Sequence, residues 1–171
     1  TPFLGGRIAD RYWGYTKAIV IGGIMMGLGY CLMGIHNLSA LYAGMTLVIF
    51  GNGFFKPNIS TLLGNLYSTD EYRHRKDEGY NIFYMGINIG AFICNFFGAA
   101  LQIMLGWGWA FMAAGIGMFI GLIVFLSGRK HYAGYEEKKG VHKDDMSMAK
   151  IGAVVLLPVL VFGVIGWLIP D

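Results

Sequence analysis

Twelve of the thirteen Lys and Arg residues in this chain fall in three clusters set apart by long apolar stretches. Arg7, Arg11 and Lys17 form the first cluster, and Arg73, Arg75 and Lys76 the second. Arg129, Lys130, Lys138, Lys139, Lys143 and Lys150 form the third. Between clusters the apolar residues come in pairs of stretches. The short breaks inside each pair, at Ile35–Ser39 and Leu105–Trp109, hold no basic residue. A helix needs about 20 apolar residues to cross a bilayer core, and cytoplasmic loops are the ones enriched in Lys and Arg. The pattern predicts membrane-crossing helices at Ala18–Ile35, Ala40–Leu63, Tyr80–Leu101 and Trp107–Leu126, with the basic loops in the cytoplasm. Trp107 and Trp109, at an outer turn, suit an interfacial aromatic belt.

The flanks fit the same scheme. Thr1–Ala9 reads as the end of another apolar helix, too short to cross at about 1.5 Å per residue. The chain is therefore expected to be a piece of a longer protein. His131–Lys150, with Glu136, Glu137, Asp144 and Asp145, reads as a cytoplasmic linker. Ile151–Ile169 is a fifth candidate span, kinked but not forbidden by Pro158.

Composition closes off other classes. Charged residues make up 13% of the chain, about half the share of a soluble domain. The net charge of +3 lies at loop ends rather than on one face, so no nucleic-acid partner is expected. His36, His74, His131 and His142 are scattered, and no full span holds an acid. That leaves no metal set and no paired carboxylates, and an enzyme is not expected. Cys31 and Cys94 sit in apolar segments without CxxC spacing, which favours buried packing and leaves a disulfide open. Gly23 and Gly27, Gly86 and Gly90, and Gly117 and Gly121 have the spacing of helix-contact faces. With 27 glycines in the chain, chance is the competing explanation.

The thirteenth basic residue, Lys56, lies inside a span. A charged Lys at the centre of a membrane helix costs about 2.5–3.5 kcal/mol, so it should face a wet cavity or a carboxylate. The bland alternative is a structural Lys that snorkels. Asn52, Lys56 and Ser60, four residues apart, share one helix face. Pro57 frees a backbone carbonyl one turn back. On the next span Asn81, Tyr84, Asn88 and Asn95 form a polar stripe. Either stripe alone reads equally well as interhelical glue. Two adjacent stripes, one holding a Lys, favour a solute pathway, with Asn52, Ser60 and Asn81 as candidate pocket lining.

Three blocks carry a family resemblance. Gly6-Arg7-Ile8-Ala9-Asp10-Arg11, followed by Gly14 and Lys17, resembles the motif between the second and third helices of the major facilitator superfamily. The extra residue before Gly14, Trp13, makes it similar to the variant in proton-dependent oligopeptide transporters. Gly51-Asn52-Gly53-Phe54-Phe55-Lys56-Pro57-Asn58-Ile59-Ser60 resembles that family's fourth helix. Phe83-Tyr84-Met85-Gly86-Ile87-Asn88-Ile89-Gly90 resembles its fifth-helix signature.

The resemblance runs from Thr1 to about Tyr132. It implies an all-α membrane protein with part of the major facilitator fold. Residues 1–130 would be the end of helix 2 through helix 6 of an N-terminal six-helix bundle. Residues 131–150 would be a cytoplasmic linker, and 151–171 an additional helix between the two halves, as in bacterial members. The implied activity is proton-coupled symport of di- and tripeptides into the cell by alternating access, across the cell (inner) membrane. The proton is the coupling ion and no other cofactor is implied. Lys56 matches a lysine that pairs with glutamates of an ExxER motif on helix 1, which lies outside this sequence. Tyr84 and Asn88 match positions that contact peptide. Gly6, Asp10, Arg11 and Gly14 match a cytoplasmic gate motif, whose charges also have a plain topological reading. A relative carrying another solute such as nitrate, or a non-transporting sensor or assembly subunit, stands as the alternative.

Overall fold

The structure is a computed structural model that describes Gly6, Ala9, residues 14–69 and residues 72–135. The chain divides after Lys139, and every described residue belongs to the first unit. The fifth candidate span and most of the expected linker lie outside the described residues.

Four long helices dominate: α1 Tyr15–Met33, α2 Leu38–Leu66, α3 Lys76–Leu105 and α4 Trp107–Ser127. All four are long and apolar enough to cross a membrane. They coincide with the four expected spans, but local chemistry moves their ends. α1 stops at Gly34 rather than Ile35. α2 starts earlier than its apolar run because the Asn37 side chain accepts from the Ser39 N–H at 2.9 Å and caps it. α3 begins at Lys76, four residues before the apolar stretch, with Asp77 and Glu78 in its first turn. Carboxylates favour the positive end of a helix, so residues that read as loop are helical. Arg75, in a 3-10 turn over Arg73–Arg75, bonds Glu78 at 3.0 Å. That hydrogen bond, with the charge of Glu78, raises the guanidinium pKa above its ordinary value.

The expected outer turn at Leu105–Trp109 shrinks to one residue. Gly106 alone connects α3 to α4, at φ +91°, a backbone region that side-chain-bearing residues rarely enter. Trp107 and Trp109 are therefore helical, and both are exposed.

α1 is the central helix, packed between α2 and α4. Glycine makes this packing close. A Cβ built on Gly22 would lie 2.7 Å from the Gly51 carbonyl oxygen, and one on Gly51 would lie 2.7 Å from the Gly22 oxygen. Two helical turns on, Gly29 and Gly44 oppose each other in the same way, at 2.7 and 2.6 Å. The α4 side repeats the device: Gly115 meets the Gly27 oxygen at 3.0 Å, and Gly108 meets the Gly34 oxygen at 2.8 Å. Both seams use glycines seven residues apart on antiparallel helices. A seven-residue period keeps one face turned to its partner only if the helices wrap left-handed.

The four-residue spacing was a poorer guide. Gly23 and Gly27 do face α4, against Leu122, Met118 and Phe119. Gly86, Gly90, Gly117 and Gly121 have nothing within 4 Å. The cysteines separate likewise. Cys31 is partly buried, near enough to Gly115 that a Cβ there would lie 2.8 Å from its sulfur, while Cys94 is exposed and both are free thiols. Cys94 lies on α3, which rests on α4 and meets α2 only near the charged ends. Little of α3 is covered by the other described helices.

The small buried core sits at the basic end of the bundle. Ala9, Tyr15, Ala18, Ile19 and Leu62 form it, with Phe55, Ile59, Phe125 and Tyr132 packed around. Tyr132 belongs to a helical turn, α5 Arg129–Tyr132, which is followed by a 3-10 turn. Its ring stacks on Phe125 at 4.7 Å and its hydroxyl donates to the Phe125 carbonyl at 2.8 Å. The first residues of the expected linker thus fold back onto α4.

Candidate functional site

α2 runs unbroken through Pro57. Proline removes one backbone donor and crowds the preceding turn, and side chains around it bond backbone carbonyls. Asn58 Nδ2 donates to the Phe54 oxygen at 2.6 Å, Ser60 Oγ to the Lys56 oxygen at 3.2 Å, and Thr61 Oγ1 to the Pro57 oxygen at 2.9 Å. Such back-bonds loosen and bend helices. Asn58 is wholly buried. Sequence reading assigned it no role, although an Asn directly after a helical Pro, about 200° round from Lys56, could have been flagged.

On the opposite side of α2, Asn52 and Lys56 are exposed and Ser60 is half-buried. Lys56 has no carboxylate partner among the described residues. On α3, Asn81, Tyr84 and Asn88 are all exposed. Asn88 Nδ2 donates to the Tyr84 carbonyl at 2.9 Å, which fixes the amide against its own helix. The Tyr84 ring lies between two others. Tyr80 stacks on it with centroids 6.3 Å apart, and Phe83 meets it edge-on at 5.7 Å.

One hydrogen bond ties the two helices that carry the stripes. The Tyr80 hydroxyl donates to the Ser60 carbonyl at 3.3 Å. α2 and α3 are antiparallel, so four residues outward from this tie lie Lys56 on α2 and Tyr84 on α3. Eight residues outward lie Asn52 and Asn88. The tie therefore joins the helix that carries Asn52, Lys56 and Ser60 to the helix that carries Asn81, Tyr84 and Asn88. Asn95 sits seven residues farther along than Asn88, about 10 Å at 1.5 Å per residue. It lines a shallow depression on α3 with Phe92, Phe96, Ala99, Ala100 and Ile103. It belongs to the stripe by position.

The motif at the start of the chain is partly visible. Gly6 lies against Pro57, where a Cβ would be 3.8 Å from the proline Cβ. Gly14 is buried at φ +78°, and its N–H donates to the Ala9 carbonyl at 2.9 Å. That φ explains a glycine there. Asp10 and Arg11 lie outside the described residues. Among the described residues no three His, Cys, Asp or Glu come together to hold a metal.

An exposed ammonium, a phenol and two amides on two tied helices offer hydrogen-bond donors and acceptors and one positive charge to a polar solute.

The sequence profile described as PTR2, POT family, matches residues 16–157. An uncharacterized transporter of Bacillus subtilis, YclF, is 37% identical over 135 residues, covering 78% of this chain and 27% of that protein. A di-/tripeptide transporter of Lactococcus lactis subsp. cremoris is 32% identical over 168 residues, covering 98% of this chain and 33% of that protein. Among solved structures, a peptide transporter POT in complex with sulfate superposes with a TM-score of 0.75 at 31% identity, over 96% of this chain and 33% of that one. The chain thus spans about a third of the length of these relatives, and its helices adopt part of the fold of that transporter.

Proposed function

The chain belongs to the POT family, and from that premise we propose that it forms part of a transporter that carries di- and tripeptides across the cell membrane, coupled to protons. The observation that supports this reading best is the Tyr80–Ser60 hydrogen bond, which ties the membrane-length helix bearing Lys56 to the one bearing Tyr84 and Asn88. The di-/tripeptide transporter of Lactococcus supports the substrate class. The basic loops at Lys17, Arg73–Lys76 and Arg129–Lys130 face the cytoplasm on this reading.

Every peptide has two charged termini and variable side chains. A site that accepts many peptides should hold the termini and backbone and leave side-chain space loose. Lys56 supplies the positive charge, Asn88 can donate and accept toward the backbone, and the Tyr84 hydroxyl can do either. A carboxylate on a first helix outside this chain pairs with Lys56 when it is ionised. Protonating that carboxylate releases the ammonium, which then favours bound peptide and helix rearrangement. Gly6, Asp10, Arg11 and Gly14 act at the cytoplasmic mouth. Residues 131–150 link the bundle to an additional helix at 151–171. Alternating access moves two halves about the site, so the working unit is the longer protein and not this chain alone.

The test is uptake by the full-length protein in proteoliposomes. Labelled dipeptide should accumulate when an inward proton gradient is imposed and only equilibrate without one. Accumulation of nitrate in place of peptide would overturn the substrate assignment. No transport of either by correctly folded protein would point to a sensor or assembly role.

A further inference from the structure

α2 and α3 meet over a short stretch near their basic ends, where Tyr80 reaches across and Phe83 lines a cavity with Ile59, Leu62, Leu63 and Leu66. Beside Tyr80, the Gly79 backbone lies against the Tyr67 ring. A Cβ on Gly64 would fall 2.8 Å from the Tyr80 hydroxyl, so the glycine makes room for the phenol. Farther along α3, Tyr84 and Asn88 are exposed, and Gly86 and Gly90 have nothing within 4 Å. Tyr80 also has two separate functions in one side chain. Its hydroxyl reaches the Ser60 carbonyl on α2, one turn from Lys56. Its ring stacks on Tyr84, one turn along α3.

We propose that Tyr80 is a positioning residue: it pins the basic end of the α2–α3 contact through its hydroxyl and, through its ring, orients the Tyr84 side chain. The Tyr84 part rests on the peptide-transport reading above; the pin does not. Tyr80→Phe would keep the stack and lose the tie, whereas a small aliphatic side chain would lose both. The two roles are therefore separable by two substitutions.

The experiment uses the full-length transporter in nanodiscs, as wild type, Tyr80→Phe and Tyr80→Leu, with two readouts. Amide hydrogen exchange follows the pin without any substrate. Tyr80→Phe should exchange about threefold or more faster over residues 60–68 and 76–84, because one interhelical hydrogen bond is lost. The α1–α4 seam should be unchanged. Dipeptide transport follows Tyr84. Tyr80→Phe should keep KM within about twofold and change mainly turnover, while Tyr80→Leu should raise KM about tenfold. Should Tyr80→Leu fail to fold, Tyr80→Met takes its place, since it too lacks both the ring and the hydroxyl. Wild-type exchange rates in Tyr80→Phe would overturn the pin. Equal KM values in the two variants would overturn the positioning of Tyr84. A wild type that transports no dipeptide would sink the peptide reading and the Tyr84 role with it, while the exchange result would still decide the pin.

Discussion

Substituting alanine for Gly22 and Gly51, singly and together, probes the seam that holds α1 to α2. In each single variant the new Cβ sits 2.7 Å from a carbonyl oxygen on the facing helix. Ordinary contact begins near 3.4 Å, so the helices must move apart by about 0.7 Å. The obstacles also include the Phe55 and Met26 backbone nitrogens, which cannot rotate away. Overpacking of this kind costs about 1–3 kcal/mol. Alanine returns up to about 1 kcal/mol as a better helix former. A net loss of roughly 0–2 kcal/mol per single variant is expected. The double variant is the sharper case. Separation forced by the first methyl already makes most of the room for the second, so the double should cost at least about 0.5 kcal/mol less than the two singles added. Gly22→Ala with Gly115→Ala acts on opposite faces of α1 and should be additive within about 0.5 kcal/mol. Reversible unfolding of the full-length protein in mixed micelles gives all the values needed. Additive losses at Gly22 and Gly51, or a clear gain of stability in both single variants, would refute the close packing of the seam.

Other expectations follow from single contacts. Gly14→Ala forces a side chain into φ +78° and should cost about 1–2 kcal/mol, seen as a lower unfolding midpoint. Tyr132→Phe removes the hydroxyl bond to Phe125 but keeps the stacked ring; about 1 kcal/mol should be lost, with peptide KM unchanged. Glu78→Gln breaks an exposed pair with Arg75, and such pairs contribute little, so stability and uptake should match wild type. A raised Arg75 pKa stabilises fully below the ordinary value and fades only above it. Unfolding midpoints between about pH 5 and 9 should therefore show no step from this guanidinium.

Charge periodicity located the four helices because basic loops and apolar length are properties of sequence alone. Their ends were less legible, since Asn37 capping, the acidic first turn of α3 and the one-residue link at Gly106 are local backbone events that hydropathy ignores. The glycine seams were present in the sequence at seven-residue spacing, but a search at four-residue spacing passes over Gly22, Gly29, Gly44 and Gly51. The exposure of Cys94 was not legible, because burial depends on which helices cover α3. At the site, the two polar stripes could be read from residue type and period. The tie between the two helices could not, since it depends on a single interhelical contact, Tyr80 to Ser60. Tyr80 itself went unmarked because an aromatic in an apolar span looks like packing. The buried Asn58 was similarly hidden beside the more conspicuous Lys56 and Pro57.

On the proposed reading, Lys56 couples a proton gradient to peptide movement in the full-length protein. The direct measurement compares wild type and Lys56→Ala in proteoliposomes, first under an inward proton gradient and then in exchange of labelled for unlabelled dipeptide without one. The account predicts that gradient-driven accumulation is lost in the variant while some exchange persists. Accumulation at the wild-type level in Lys56→Ala would contradict it.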